Sequence, residues 1–185
     1  MTPGDVQLWL RTSALKSLKV FLSIGGWSFN NPPTSNIFSD LVASASNRAT
    51  FISSALSVLQ AYAFDGIDID WEYPAAYDCG GNPADKANFV TFMAEVKAAF
   101  RSNNYGLTFT APSSYWYLQH SLQAYAFDGI DIDWEYPAAY DCGGNPADKA
   151  NFVTFMAEVK AAFRSNNYGL TFTAPSSYWY IPPTL

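Results

Sequence analysis

The stretch Phe64-Asp65-Gly66-Ile67-Asp68-Ile69-Asp70-Trp71-Glu72-Tyr73-Pro74 decides the fold. Side chains along a strand point alternately to opposite faces, so Asp68, Asp70 and Glu72 share one face and Ile67, Ile69 and Trp71 the other. Gly66 and Pro74 punctuate its two ends. A column of three carboxylates is costly on a strand whose other face is Ile, Ile and Trp. Burial penalises each charge, and its like-charged neighbours add to the penalty. The expected outcome is an uneven set of pKa values, with protons shared along the column and one acid left protonated near neutral pH. That is the state a general acid requires. Glu72 falls at the C-terminal end of the strand, the rim on which barrel enzymes mount their reacting groups. A solvated acidic face is the plain alternative, and the apolar flank with helical segments on both sides speaks against it. A calcium loop of the EF-hand type needs a Gly after its third ligand and a distant Glu, and neither occurs here.

Upstream, Asp5 to Leu18 has helical spacing, with Leu8, Leu10, Leu15 and Leu18 on one side. The near-continuous apolar run Lys19-Val20-Phe21-Leu22-Ser23-Ile24, ending in Gly25-Gly26-Trp27, reads as a buried parallel strand. A loop from Asn30 to Asn36 follows, then a short helix from Phe38 to Ser44. A longer helix, capped by Asn47 and running to Tyr62, is expected to turn Phe51, Leu56 and Leu59 inward. Downstream, Asn82-Pro83 offers a cap and first turn for a helix to about Asn103. Phe89, Phe92, Met93, Val96 and Phe100 would form its inner face. Leu107 to Ala111 is the next strand. Strands alternating with helices specify an α/β fold with a parallel sheet.

Residues 59–117 recur without change as 122–180. Old structural repeats keep a pattern and lose their letters. An unchanged copy points instead to a very recent duplication or to an error in assembling the gene, and the error is the expectation. A single sequence read from Gln119 to Gln123 separates the two. The organisation is therefore 1–117, a junction at 118–121, the copy at 122–180, and a tail at 181–185. The copy adds a second acidic set, Asp128, Asp131, Asp133 and Glu135, but no independent support for the motif.

Bulk properties narrow the function further. Apolar residues make up 49% and charged residues 14% of the 185 residues, against an average charged share of about 25%. That is the composition of a chain with a core. The net charge of −6 opposes nucleic acid or an anionic membrane surface as partner. Cys79 and Cys142 are copies of one position and supply no disulfide framework. The lone His120 cannot build a zinc cluster, and no Ser sits in a nucleophile elbow that would make it part of a triad. No cofactor and no metal is implied. No run approaches the ~20 apolar residues of a membrane span, and the first residues do not read as a signal peptide.

Asp65-x-x-Asp68-x-Asp70-x-Glu72 resembles the D-x-x-D-x-D-x-E signature of glycoside hydrolase family 18, the chitinases. Ser23-x-Gly25-Gly26 resembles that family's S-x-G-G on the preceding barrel strand. The wording around them, including Gly80-Gly81-Asn82-Pro83-Ala84-Asp85-Lys86, is similar to secreted fungal-type chitinases. The resemblance implies an incomplete (β/α)8 TIM barrel of about five parallel strands, equivalent to strands three to five of the family and a repeat. It implies an endo-acting chitinase on chitin or chito-oligosaccharides, located outside the cell. Glu72 would protonate the glycosidic oxygen and later activate water. Asp70 would hold the acetamido N–H, so that the substrate's own carbonyl oxygen attacks, a retaining route without a glycosyl-enzyme bond. Asp68 would share a proton with Asp70, and Asp65 would be structural. Ser23, Gly25 and Gly26 would line the floor, and Trp27 and Tyr73 would be sugar platforms. The same roles map formally onto Asp128, Asp131, Asp133 and Glu135.

A full barrel typically takes about 250 residues. Here the family's Tyr-Asp pair on strand six and floor Trp on strand eight do not follow strand five. Orientation by such groups is worth roughly 7–11 kcal/mol of a barrier, so this chain is expected to be inactive or weakly active. A catalytically dead, lectin-like binder of chitin oligomers is the rival reading, and the retained Glu72 and Glu135 oppose it.

Overall fold

The computed structural model describes residues 19–76, 80–110, 128–134, 145–164 and 168–173. The expected helix at residues 5–18, both cysteines, His120 and Glu135 lie outside these residues.

Strand β1, Phe21–Gly25, leads through a short 3-10 turn, Trp27–Asn30, to helices α1, Ile37–Ala43, and α2, Ala45–Tyr62. Strand β2, Gly66–Asp70, is followed by helix α3, Asp85–Arg101, and strand β3, Gly106–Phe109. The copy supplies strand β4, Gly129–Ile132, helix α4, Asp148–Phe163, and strand β5, Gly169–Phe172. The strands β1-β2-β3 pair in parallel, with Ser23 opposite Asp68, Gly25 opposite Asp70, and Asp68 opposite Thr108. The strands β4 and β5 pair in the same register that β2 and β3 use. A single parallel bridge, Thr110 to Asp131, and a bond from Asp128 N–H to the Leu107 carbonyl (3.2 Å) join the two parts. The order across the molecule is therefore β1-β2-β3-β4-β5, an α/β arrangement of parallel strands covering part of a barrel.

The alternation expected of β2 is observed. Ile67, Ile69 and Trp71 face the helices, where Trp71 stacks on Phe38 of α1 (5.4 Å between ring centres) and meets Phe89 of α3 edge-on (5.5 Å). The full inner face predicted for α3, Phe89, Phe92, Met93, Val96 and Phe100, is buried. Of the α2 positions, Leu59 is buried while Phe51 and Leu56 are half-buried.

Two caps differ from expectation. The start of α2 is capped by Ser44, whose Oγ accepts the Asn47 N–H (3.3 Å). Asn47 is already inside the first turn and uses its side chain to donate to the Asp40 carbonyl (3.2 Å). A capping residue needs extended backbone with its side chain free to reach two or three residues ahead, and Ser44 has both. At α3 the regular helix begins at Asp85, not at Pro83. Asn82 and Asp85 nevertheless bond reciprocally, with Asp85 Oδ2 accepting from Asn82 N–H (2.6 Å) and the Asn82 carbonyl from Asp85 N–H (2.9 Å), while Asn82 Oδ1 accepts from Ala84 N–H (2.9 Å). The exchange resembles a capping box one turn ahead of the helix. Strand β3 ends at Phe109, two residues before the predicted Ala111, and the connection to β4 at 111–127 is outside the described residues.

The two copies fold alike and pack differently. Helix α3 is covered by α1 and α2: Ser39 donates to Asp85 (2.8 Å), Arg48 clasps both carboxylate oxygens of Glu95 (2.8 and 3.0 Å), and Phe51 meets Phe92 edge-on (5.2 Å). Its twin α4 has no buried residue. Phe155 is 43% exposed, where the matching Phe92 is fully enclosed. No helix of the described residues is long and apolar enough to cross a membrane.

Candidate active site

The parallel pairing of β1 with β2 brings the two motifs side by side, first copy with first motif. Gly25 lets the strands close at the rim. A Cβ there would sit 2.0 Å from the Asp70 carbonyl oxygen, and the residue's φ of +124° suits only glycine. Gly26, at φ +99°, donates its N–H to the same carbonyl (2.9 Å). Buried Asn30 locks the corner, giving Nδ2 to the Gly26 carbonyl (2.8 Å).

Asp68 lies at the bottom of the column, 2% exposed. Three hydroxyls aim at it: Thr108 at Oδ1 (2.8 Å), and Thr110 (2.8 Å) and Ser23 (3.2 Å) at Oδ2. Burial, followed by the charge of Asp131, raises its pKa to about 6 against the pull of those donors. Asp70 ends β2 and is also buried. Burial, then the carboxylates of Glu72, Asp68 and Asp133, raises its pKa to about 8. That keeps Asp70 protonated near neutral pH. Glu72 stands two residues beyond the strand, half-buried at the rim.

Asp65 is at the other end of β2. Its carboxylate takes Lys19 Nζ (2.6 Å) and the Val20 N–H (2.9 Å), stapling β2 to β1. It is remote from the rim and touches none of the column. Of the proposed platforms, Trp27 is 67% exposed on the turn after Gly26, and Tyr73 is half-buried beside Glu72.

Among the described residues, the copied acids Asp128, Asp131 and Asp133 have surroundings different from those of the first set. Asp131 is buried against β3 and accepts one hydroxyl, Thr173 (2.7 Å). On the side of β4 away from β5 stands β3, not a strand carrying the Ser and Gly residues of β1. Asp128 instead pairs with Lys97 (3.1 Å) and accepts from Leu107 N–H (3.3 Å). Asp133 reaches the first site, where its oxygen lies within 4.8 Å of ligand-capable oxygens of Asp70 and Glu72.

Residue-by-residue reading of the sequence missed Thr108, Thr110 and Asn30. A signal existed for the threonines: in Leu107-Thr108-Phe109-Thr110 the polar residues alternate, so they share the face that the acids occupy on the neighbouring strand. Asn30 gave none, because its partners are backbone carbonyls.

Comparison with known proteins agrees with this geometry. The sequence profile described as "Glycosyl hydrolases family 18" matches residues 9–124 and 117–183. The chain belongs to glycosyl hydrolase family 18. The chain is 34% identical over 137 residues to Chitinase A1 of Niallia circulans, covering 69% of this chain and 19% of that protein. It is 35% identical over 143 residues to the Endochitinase of Manduca sexta, covering 75% and 24%. It is also 37% identical over 138 residues to Killer toxin subunits alpha/beta of Kluyveromyces lactis, covering 66% and 12%. Among solved structures, Chitinase ChiA74 from Bacillus thuringiensis superposes with a TM-score of 0.58 at 31% identity, over 81% of this chain and 27% of that one. The chain thus spans a quarter or less of the length of these curated relatives. The partial barrel expected from the motifs is the fold these family 18 neighbours share.

Proposed function

We propose that the protein is a chitinase-type glycoside hydrolase acting on β-1,4-linked N-acetylglucosamine polymers, with retention and through the substrate's own acetamido group. The observation that carries this reading is the column of Asp68 and Asp70 on β2 with Glu72 just beyond its end, walled on one side by Ser23, Gly25 and Gly26. The proton held on Asp70 is one residue pair from Glu72, which faces the rim where a glycosidic oxygen would arrive. Asp68, held by three hydroxyls, fixes the base of the column, so that Asp70 can pass its proton upward and then accept the acetamido N–H. Glu72 protonates the leaving oxygen, and the acetamido carbonyl oxygen attacks the anomeric carbon. Water, deprotonated by Glu72, then opens the ring so formed. Trp27 and Tyr73 offer ring faces to the sugars, Asp65 serves the strand pairing, and the working site is that of the first copy. The protein acts outside the cell, as an extracellular polysaccharide requires.

The 185 residues by themselves form a weak catalyst, because Asp133 crowds Asp70 and Glu72 where orienting groups for the sugar are needed. The test uses release of a fluorophore from a chitobiose glycoside, alongside calorimetry with chito-oligosaccharides. Slow release that disappears in Glu72→Gln supports the reading. Binding without any release would replace it by a lectin-like function, and absence of both would overturn it.

A further inference from the structure

The strand copy creates, at the mouth of the column, an arrangement the single motif could not make. Asp70 and Glu72 project from the end of β2, and Asp133 arrives from β4, which the Thr110–Asp131 bridge holds against β3. Each of the three offers an oxygen, all within 4.8 Å of one another. Asp70 is 6% exposed, and its Oδ1 is buried with no hydrogen-bond partner among the described residues. The hydroxyls that could have served it, Ser23, Thr108 and Thr110, are committed to Asp68 one layer deeper. Asp70 and Glu72 share a side-chain hydrogen bond, but it leaves Oδ1 without a partner, and a buried polar oxygen left so is costly. The ion pairs Lys19–Asp65, Arg48–Glu95 and Lys97–Asp128 engage carboxylates other than these three.

We propose that Asp70, Glu72 and Asp133 together bind a divalent cation, with calcium as the ion of best fit. The donors are carboxylate oxygens alone, the set that hard cations choose over zinc or copper. Calcium bonds oxygen at about 2.3–2.6 Å, so oxygens up to about 5 Å apart can share one ion, whereas magnesium, at about 2.0–2.1 Å, demands a tighter octahedron. Asp70 and Asp133 reach the ion from two strands and Glu72 closes it from the rim, where the half-open side admits water to complete the shell. The site depends on the copy, since Asp133 is one of its three ligands. The inference stands apart from the sugar chemistry: an ion here would occupy Glu72 and so compete with a saccharide.

The experiment is calorimetric titration of calcium chloride into the full chain after treatment with a chelator, with magnesium chloride as comparator. One saturable calcium site per chain is expected, at least tenfold tighter than magnesium. Asp133→Asn should weaken it tenfold or more, Asp133→Glu should retain it, and Glu158→Gln on the exposed face of α4 should change it less than twofold. The same order should appear as a calcium-dependent rise in the unfolding midpoint, read by circular dichroism, which also establishes that each variant is folded. The proposal is overturned if no saturable binding occurs up to about 10 mM, beyond the weakest natural calcium modules. It is equally overturned if folded Asp133→Asn binds as the parent does, or if Asp133→Glu loses the site.

Discussion

Replacing Gly25 by alanine tests the tightest glycine contact among the described residues. The residue sits at φ +124°, a conformation that costs a side-chain-bearing residue about 1–3 kcal/mol. The added Cβ would lie 2.0 Å from the Asp70 carbonyl oxygen, 2.8 Å from its carbon and 3.0 Å from the Phe38 ring. The first two are backbone atoms, so β1 and β2 must part by more than an ångström at the rim. That breaks the bond from Gly26 N–H to the Asp70 carbonyl (2.9 Å), worth about 1 kcal/mol, and loosens Phe38 against Trp71. The sum is about 3–5 kcal/mol. Gly26→Ala is the control, because its backbone (φ +99°, ψ 165°) is equally hostile to alanine, yet its Cβ would meet only Asp70 Oδ2, at 3.7 Å. It should cost about 1–3 kcal/mol. Urea unfolding followed by tryptophan fluorescence measures both. Equal losses for the two variants would refute the claim that close strand approach, beyond backbone conformation, makes Gly25 necessary.

Three further outcomes follow from the same coordinates. Thr108→Val and Thr110→Val each remove a donor from buried Asp68, so each should cost about 1–3 kcal/mol, with the double variant departing from additivity in a thermodynamic cycle. Stability should fall as pH rises from about 4 to about 8. Asp68 and Asp70 have folded pKa values of about 6 and about 8, above the carboxylate value of an unfolded chain, so the folded state holds protons that the unfolded state has already released. The effect of Asp70, discounted for screening at the half-open rim, is about 2–3 kcal/mol. Asp70→Asn should flatten the profile above pH 6, and an unchanged slope would refute the assignment. Finally, Phe92→Ala should cost about 3–5 kcal/mol, while the same substitution in the copy, Phe155→Ala, should cost under about 1 kcal/mol. Comparable losses in thermal melts would show that α4 is covered as α3 is.

Much of the first copy was legible because its signals are local. The period of two in residues 64–73 put the acids on one face and Ile67, Ile69 and Trp71 on the other, and the structure has them so. The period of 3.6 in α3 named its five buried apolar residues, though not the buried Asp85. Gly25 and Gly26, which the resemblance put on the floor of the site, lie where backbones approach closely, and the Asp70 carbonyl is what approaches.

What only the tertiary structure decided is which residues from distant stretches meet. Thr108 and Thr110 became the partners of Asp68 because β3 lies beside β2 in a particular register, a choice that the spacing within either strand does not encode. Asp133 came to the rim beside Glu72 for the same reason, through β4 docking on β3. The repeat makes the point without any difference of sequence. Residues 85–100 and 148–163 carry the same letters and form the same helix, yet one is core and the other is surface. Helix formation depends on contacts a turn apart, which both copies contain. Burial depends on whether α1 and α2 are there to cover the apolar face, and they stand over only one of the two.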